Sequence, residues 1–179
     1  MEILRIVVTG NVGAGKTSFI RTISEIDVVD TDRRATDELV EIKANTTVAL
    51  DFGRLTISPN QSLHLYGTPG QARFDFMWDI LIQKAHAYIL LIDAHRPEHL
   101  RQNRKILHFC KQRTNIPYLV GITHSDCPGA WEAEDIALGL GIWDDSVPFV
   151  TVNATEPVSV RSALITLVES LTDCYLHHS

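Results

Sequence analysis

The run Gly10-Asn11-Val12-Gly13-Ala14-Gly15-Lys16-Thr17 has the spacing G-x-x-x-x-G-K-[ST], directly after the β-branched stretch Ile6-Val7-Val8 and before a helix-forming segment. No other feature of the 179-residue chain narrows its folding choices so far. A strand, a glycine-rich turn and a helix in this order aim successive backbone N–H groups and a helix N-terminus at one point, a cradle for phosphate. Gly10, Gly13, Ala14, Gly15 and Ser18 supply the backbone of that cradle, and Lys16 adds a point charge for the outer phosphates. The Thr17 hydroxyl suits Mg²⁺, a hard cation that takes oxygen ligands and keeps most of its waters. With glycine at about 7% of residues, the four fixed positions match by accident in on the order of 1% of chains this long. The strand and helix on either side make accident a poor account.

Short apolar runs alternate with helical patterns along the whole chain. Strands are predicted over Leu4–Thr9, Val48–Ile57, Ser62–Tyr66, Ala87–Asp93, Tyr118–Thr123 and Phe149–Val152. Helices are predicted over Lys16–Ile26, Ala72–Lys84, Glu98–Gln112, Trp131–Leu138 and Val158–Leu171. Continuous runs such as Ile89-Leu90-Leu91-Ile92 fit strands covered on both faces, as in a parallel sheet. Ser58-Pro59-Asn60-Gln61 reads as a hairpin turn, which makes one edge strand antiparallel. The expected fold is a three-layer α/β domain spanning 1–179, with a six-stranded, mostly parallel sheet and about five helices. Residues 27–46 lack periodicity, and a loop that long in a compact domain is usually functional.

Composition excludes several classes. Sixteen Lys+Arg against 22 Asp+Glu leave a net charge of −6, unsuited to coating nucleic acid or an anionic membrane. The longest strictly apolar run, Ala87 to Ile92, is far below the ~20 residues a membrane helix needs. Cys110, Cys127 and Cys174 are scattered without metal spacing and read as reduced thiols, and neither terminus carries a secretion or lipidation signal. The expectation is a soluble cytoplasmic protein.

Thr123-His124-Ser125-Asp126 closes the fifth predicted strand, where a base-reading turn belongs in a sheet of this kind. A carboxylate at Asp126 can accept from guanine N1–H and the 2-amino group, a pairing adenine cannot reproduce. Asn153-Ala154-Thr155 ends the last strand, and its backbone is placed to meet the guanine carbonyl. Alone, Asp126 would more often be a strand-end or capping carboxylate. The phosphate loop in the same chain favours the base.

These motifs, with Thr46–Gly53 and Gly67-Thr68-Pro69-Gly70-Gln71, come in the order of the five nucleotide-binding motifs of Ras-like small GTPases, which the chain resembles over essentially its full length. It looks most like the bacterial and archaeal branch, which includes polarity switches partnered by roadblock/LC7-type proteins. The resemblance implies a six-stranded G domain that binds Mg²⁺ with GTP or GDP and hydrolyses GTP. It makes Thr47 the switch threonine that touches Mg²⁺ beside Thr17, four residues before Asp51. Gly70 would be a donor to the γ-phosphate and Gln71 the orienter of the attacking water. The sequence also departs from the family. Gly67 stands where an Mg²⁺-assisting Asp is usual, which leaves Thr17, Thr47, phosphate and water as ligands. His124 replaces the usual Lys, and Thr123 an Asn. Val12 replaces a glycine common in Ras, and its branched side chain implies slow hydrolysis or a non-standard activator. No aromatic lies near Val28, where one usually stacks on the base.

Other residues have blander readings. Arg33 and Arg34 are a solvated pair rather than an internal arginine finger; His177 and His178 are a polar tail; His86, His95, His99 and His108 share no partner motif. Phe74, Phe76 and Trp78 divide evenly between core and partner surface. Exposed, they are the candidate contacts for a protein partner. The rival functions are a guanine-nucleotide scaffold with negligible turnover and a small-molecule kinase, for which no acceptor motif is present.

Overall fold

A computed structural model describes residues 2–28, 50–69 and 76–177. The described chain runs β1 (Glu2–Gly10), α1 (Lys16–Ile23), β2 (Asp51–Ser58), β3 (Gln61–Gly67), α2 (Phe76–Lys84), β4 (Ala87–Asp93), α3 (Leu100–Arg113), β5 (Tyr118–Thr123), α4 (Ala133–Leu140), β6 (Phe149–Thr151) and α5 (Pro157–His177). The six strands form one sheet in the order β2-β3-β1-β4-β5-β6. Only the β2–β3 hairpin is antiparallel; the other pairings are parallel. The expected α/β architecture is present.

The layers follow from strand alternation. In β4, Ala87, Ile89 and Leu91 point to one face and Tyr88, Leu90 and Ile92 to the other, and all six are buried. The first set packs with Ile6, Val8, Phe19 and Ile20 and with Val160, Ala163, Leu164 and Leu167 under α1 and α5. The second packs with Val7, Phe52, Tyr66 and Trp78 and with Ile106, Leu107 and Cys110 under α2 and α3. A strand buried on both faces has no polar side to show, which is why its sequence is continuously apolar.

Most helix ends shift by one or two residues from the sequence reading, and the C-terminal ends of α1 and α5 differ further. α1 stops at Ile23 because the Ser24 hydroxyl accepts from the Ile26 N–H at 3.3 Å and donates to the Ile26 carbonyl at 2.7 Å, offering the backbone a turn in place of a helix. α5 continues to His177, so His177 is the end of a helix and not part of a tail. Among the described residues, no helix is long and apolar enough to cross a membrane.

Candidate functional site

The carboxyl ends of β1, β4, β5 and β6 lie side by side, and the order of the sheet departs in opposite directions from β1, to β3 on one side and β4 on the other. Ligand crevices of open α/β sheets form at such a point. The loop from Gly10 to Gly15 leaves β1 there. Gly10 has φ of 142°, and a Cβ on it would lie 2.3 Å from the Leu91 carbonyl oxygen, so only glycine fits between the loop and β4. The loop is held closed by the Ala14 N–H, which donates to the Asn11 carbonyl at 3.2 Å.

Lys16 opens α1 and is buried. Its ammonium donates to the carbonyls of Gly10 and Asn11, both at 2.8 Å, and so lies folded along the loop it is predicted to serve. Burial pushes its pKa down to about 8, against a smaller raising influence from the Asp51 carboxylate. A lysine so poised gains strongly from an arriving phosphate charge. Thr17, the next residue, is exposed, and its hydroxyl donates to Asp51 Oδ2 at 2.5 Å. Sequence reading treated Asp51 as a spacing marker for Thr47 and missed this contact. The signal available was Gly67, since register pairs Asp51 with Gly67 across the hairpin.

Beside the loop opens a cavity of about 440 Å³. Gly15 and Ser18 line it from the loop side, Thr123, His124, Ser125 and Asp126 from the end of β5, and Thr151 to Thr155 from β6 and the turn after it. The volume lies in the range of small-molecule sites. Thr123 ties the two halves: its hydroxyl lies 2.8 Å from the Ala14 carbonyl. His124 adopts φ of 55° and turns its Nδ1 to 3.3 Å from Asp93 Oδ1 at the end of β4. The contact to the loop thus falls to Thr123, while His124 is held from the neighbouring strand. Asn153 Oδ1 accepts from the N–H and hydroxyl of Thr155 at 3.1 and 2.7 Å, and the Ala154 carbonyl accepts from Thr22 on α1 at 2.6 Å. The turn after β6 is therefore fixed both internally and to α1.

The structure thus brings Ala14, Gly15 and Ser18 together with Thr123, His124, Asp126, Asn153, Ala154 and Thr155, while Gly10, Gly13, Lys16 and Thr17 lie on the same loop and helix start outside the cavity lining. Thr47, Gly70 and Gln71 lie outside the described residues, as do Arg33, Arg34 and Phe74. Val12 is 65% exposed at the loop's outer rim. Val28 packs against the core beneath α1 and α5. Trp78 corrects the partner-surface expectation. It is buried and meets Phe109 edge-on at 6.1 Å, so its indole belongs to the core beneath α2.

Sheet order, phosphate loop and adjoining cavity define a P-loop nucleotide-binding domain. The chain belongs to the family described as conserved hypothetical ATP binding protein, which matches residues 26–138. An uncharacterized protein of Methanocaldococcus jannaschii is 30% identical over 123 residues, covering 69% of this chain and 71% of its own. ADP-ribosylation factor-like protein 8b of Arabidopsis thaliana is 28% identical over 132 residues, covering 72% of this chain and 65% of the plant protein. Together these place the chain in a small-GTPase-like relationship.

Proposed function

We propose that the chain binds guanine nucleotides and hydrolyses GTP slowly, alternating between triphosphate and diphosphate states. One observation carries the reading: one cavity is lined by Gly15 at the end of the phosphate loop with Ser18 behind it, by the Thr123–Asp126 turn and by the Asn153–Thr155 turn. Base, sugar and phosphates of one nucleotide would span these three. Asp126 is assigned the N1–H and 2-amino group of guanine, and the Ala154 backbone the guanine carbonyl. His124, steadied by Asp93, covers the base with a flat imidazole where the family has a lysine stem.

On the phosphate side, the loop N–H groups and the Lys16 ammonium neutralise the oxygens and hold the chain of phosphates in line. Lys16 gives up its two carbonyl partners on the loop to do so, exchanging neutral acceptors for anionic ones. The Thr17 hydroxyl and Asp51 Oδ2 present two hard oxygens at one spot, a donor set that fits Mg²⁺. When bound, that cation offsets charge on the β- and γ-phosphate oxygens. Gln71 would orient a water whose oxygen attacks the γ-phosphorus as the bond to the β-phosphate oxygen breaks, giving GDP and phosphate. Thr47 and Gly70 would join only when the γ-phosphate is present, so the surrounding segments differ between states. A partner that reads the difference, of roadblock/LC7 type on the bacterial resemblance, would bind one state alone.

Nucleotide choice is the test, because the family description names ATP and the Asp126 turn favours guanine. Calorimetric titration should show GTP binding and ATP not competing. Losing one charge-assisted pair costs roughly 1.5–3 kcal/mol, so Asp126→Asn should weaken GTP about 10- to 150-fold. The same variant should gain affinity for xanthosine triphosphate, whose 2-oxo group accepts from the new amide. ATP binding as tightly as GTP would reverse the assignment.

A further inference from the structure

We infer that the outward faces of α3 and α4 form one self-complementary surface on which a second copy of this chain docks. The basic helix of each copy lies over the acidic, tryptophan-bearing helix of the other. The nucleotide reading plays no part in this, since none of the residues involved lines the cavity. Charge is the first observation. α3 carries Arg101, Arg104, Lys105, Lys111 and Arg113 and no acid. Residues 131–145, which hold α4, carry Glu132, Glu134, Asp135, Asp144 and Asp145 and no Lys or Arg. The two helices follow adjacent parallel strands and bury their inner sides in the same layer, Ile106 and Leu107 from one, Ile136 and Leu140 from the other. They also touch: a Cβ on Gly139 of α4 would lie 2.8 Å from the Leu100 side chain. Two helices of opposite charge thus lie side by side on one surface.

Helical spacing sends those charges outward. Arg101, Arg104, Lys105 and His108 fall at i, i+3, i+4 and i+7 and are all exposed. Trp131, Glu134, Asp135 and Leu138 repeat that spacing into α4, are exposed too, and are followed by Trp143 just beyond the helix. Trp143 is 77% exposed and Leu138 60%. Trp131 is held in place by its backbone N–H, which donates to the Ala94 carbonyl at 2.9 Å. Two of the three tryptophans in the chain therefore face solvent here, ringed by carboxylates. Tryptophan and arginine are the residue types that anchor interfaces.

The charges are not answered within the chain. Among the described residues, Arg101, Arg104 and Lys105 form no ion pair, and neither do the five acids of 131–145. Arg113 is taken by Asp79, and the Lys111 ammonium lies 5.4 Å from the centre of the Tyr118 ring. A foreign basic partner would match α4 and leave α3 unmatched. A second copy matches both at once, because a two-fold interface uses the same patch twice. An axis lying between the two helices and along them sets α3 over α4 on both sides. An axis across them would set like charge on like, so the charge pattern selects one arrangement. In that arrangement the Lys and Arg stems cover the indoles, and their charged ends reach the carboxylates.

The test is sedimentation equilibrium of the full chain over a range of concentration and salt. The parent should follow a monomer–dimer equilibrium that high salt weakens by about tenfold or more, since the pairs lie near the surface. Arg101→Glu with Lys105→Glu puts acid over acid, and Glu134→Lys with Asp145→Lys puts base over base. Each double variant alone should dissociate about tenfold more readily than the parent, or more. An equimolar mixture of the two restores opposite charge on both sides and should give a one-to-one dimer, followed by a fluorophore on one variant. Trp143→Ser, at an exposed position, should also weaken the dimer without changing charge. A parent that is monomeric at every concentration would overturn the inference, as would double variants that associate like the parent. So would a mixture that stays monomeric while both variants melt at the parent's temperature, or undiminished association in Trp143→Ser.

Discussion

Lys16 enters α1 with its charge only partly matched, and that sets a pH signature for the site. In the free protein its pKa stands at about 8 instead of the usual 10.5, because burial disfavours the ammonium. Below pH 8 the lysine is already charged and binding needs no proton. Above it the lysine is neutral, and a triphosphate that requires the ammonium must draw a proton in. Affinity for GTP should therefore be flat from pH 6.5 to 7.5. It should then fall by up to about tenfold per pH unit above 8, until the pKa of the bound form is reached. Isothermal titration across that range checks the sign: affinity that rises with pH would mean Lys16 does not meet the phosphates. The same shift acts oppositely on folding. Since the folded pKa lies below the unfolded one, folding releases a proton between about pH 8 and 10.5, and the Lys16 contribution to stability grows with pH across that window.

At the scale of elements, α2 shows what burial decides. Trp78 sits two residues into it, with its ring edge-on to Phe109 of α3. The Arg113 guanidinium lies 3.6 Å over the Phe109 ring and pairs with Asp79 of α2, so the two helices are joined by stacking, charge and area. Removing a buried aromatic of this size costs about 3–5 kcal/mol, and for a domain of this length each kcal/mol lowers Tm by roughly 2–4 °C. Trp78→Ala should accordingly drop Tm by about 6–20 °C in thermal denaturation. A loss under 2 °C would return Trp78 to the surface. The sequence could not decide this, because Phe76-Met77-Trp78 is apolar whether it faces a core or a partner. It decided the sheet far better: β4 and β5 read as strands because both faces are buried and the runs Ala87–Ile92 and Leu119–Ile122 are apolar. In the site, legibility followed contiguity. Gly10–Thr17 and Thr123–Asp126 are legible as candidate motifs because their residues are adjacent in the chain. Asp51 with Gly67, and Asp93 with His124, become neighbours only through strand register and sheet order. Neither pairing is written in any local spacing. The end of α1 was missed for a different reason, since a serine is compatible with a helix until its hydroxyl captures the backbone two residues on.

For the whole molecule, the six-stranded sheet does one thing for function: it delivers three loops and an edge carboxylate to a single end. The Gly10–Gly15 loop comes from β1, the Thr123–Asp126 and Asn153–Thr155 turns from β5 and β6, and Asp51 from the far edge by way of the hairpin. A net charge of −6 leaves this basic loop as a local exception, suited to a small anion and not to a polyanion. Turnover of GTP at this site is the property on which the proposed switch depends. Single-turnover release of γ-phosphate from prebound GTP, with ATP as the parallel substrate, is the most direct measurement. Release should occur from GTP alone, at or below the ~10⁻⁴ per second scale of an unassisted Ras-like enzyme, and Gln71→Leu should slow it further. Release from ATP at an equal rate, or a fast rate from GTP indifferent to Gln71, would contradict it.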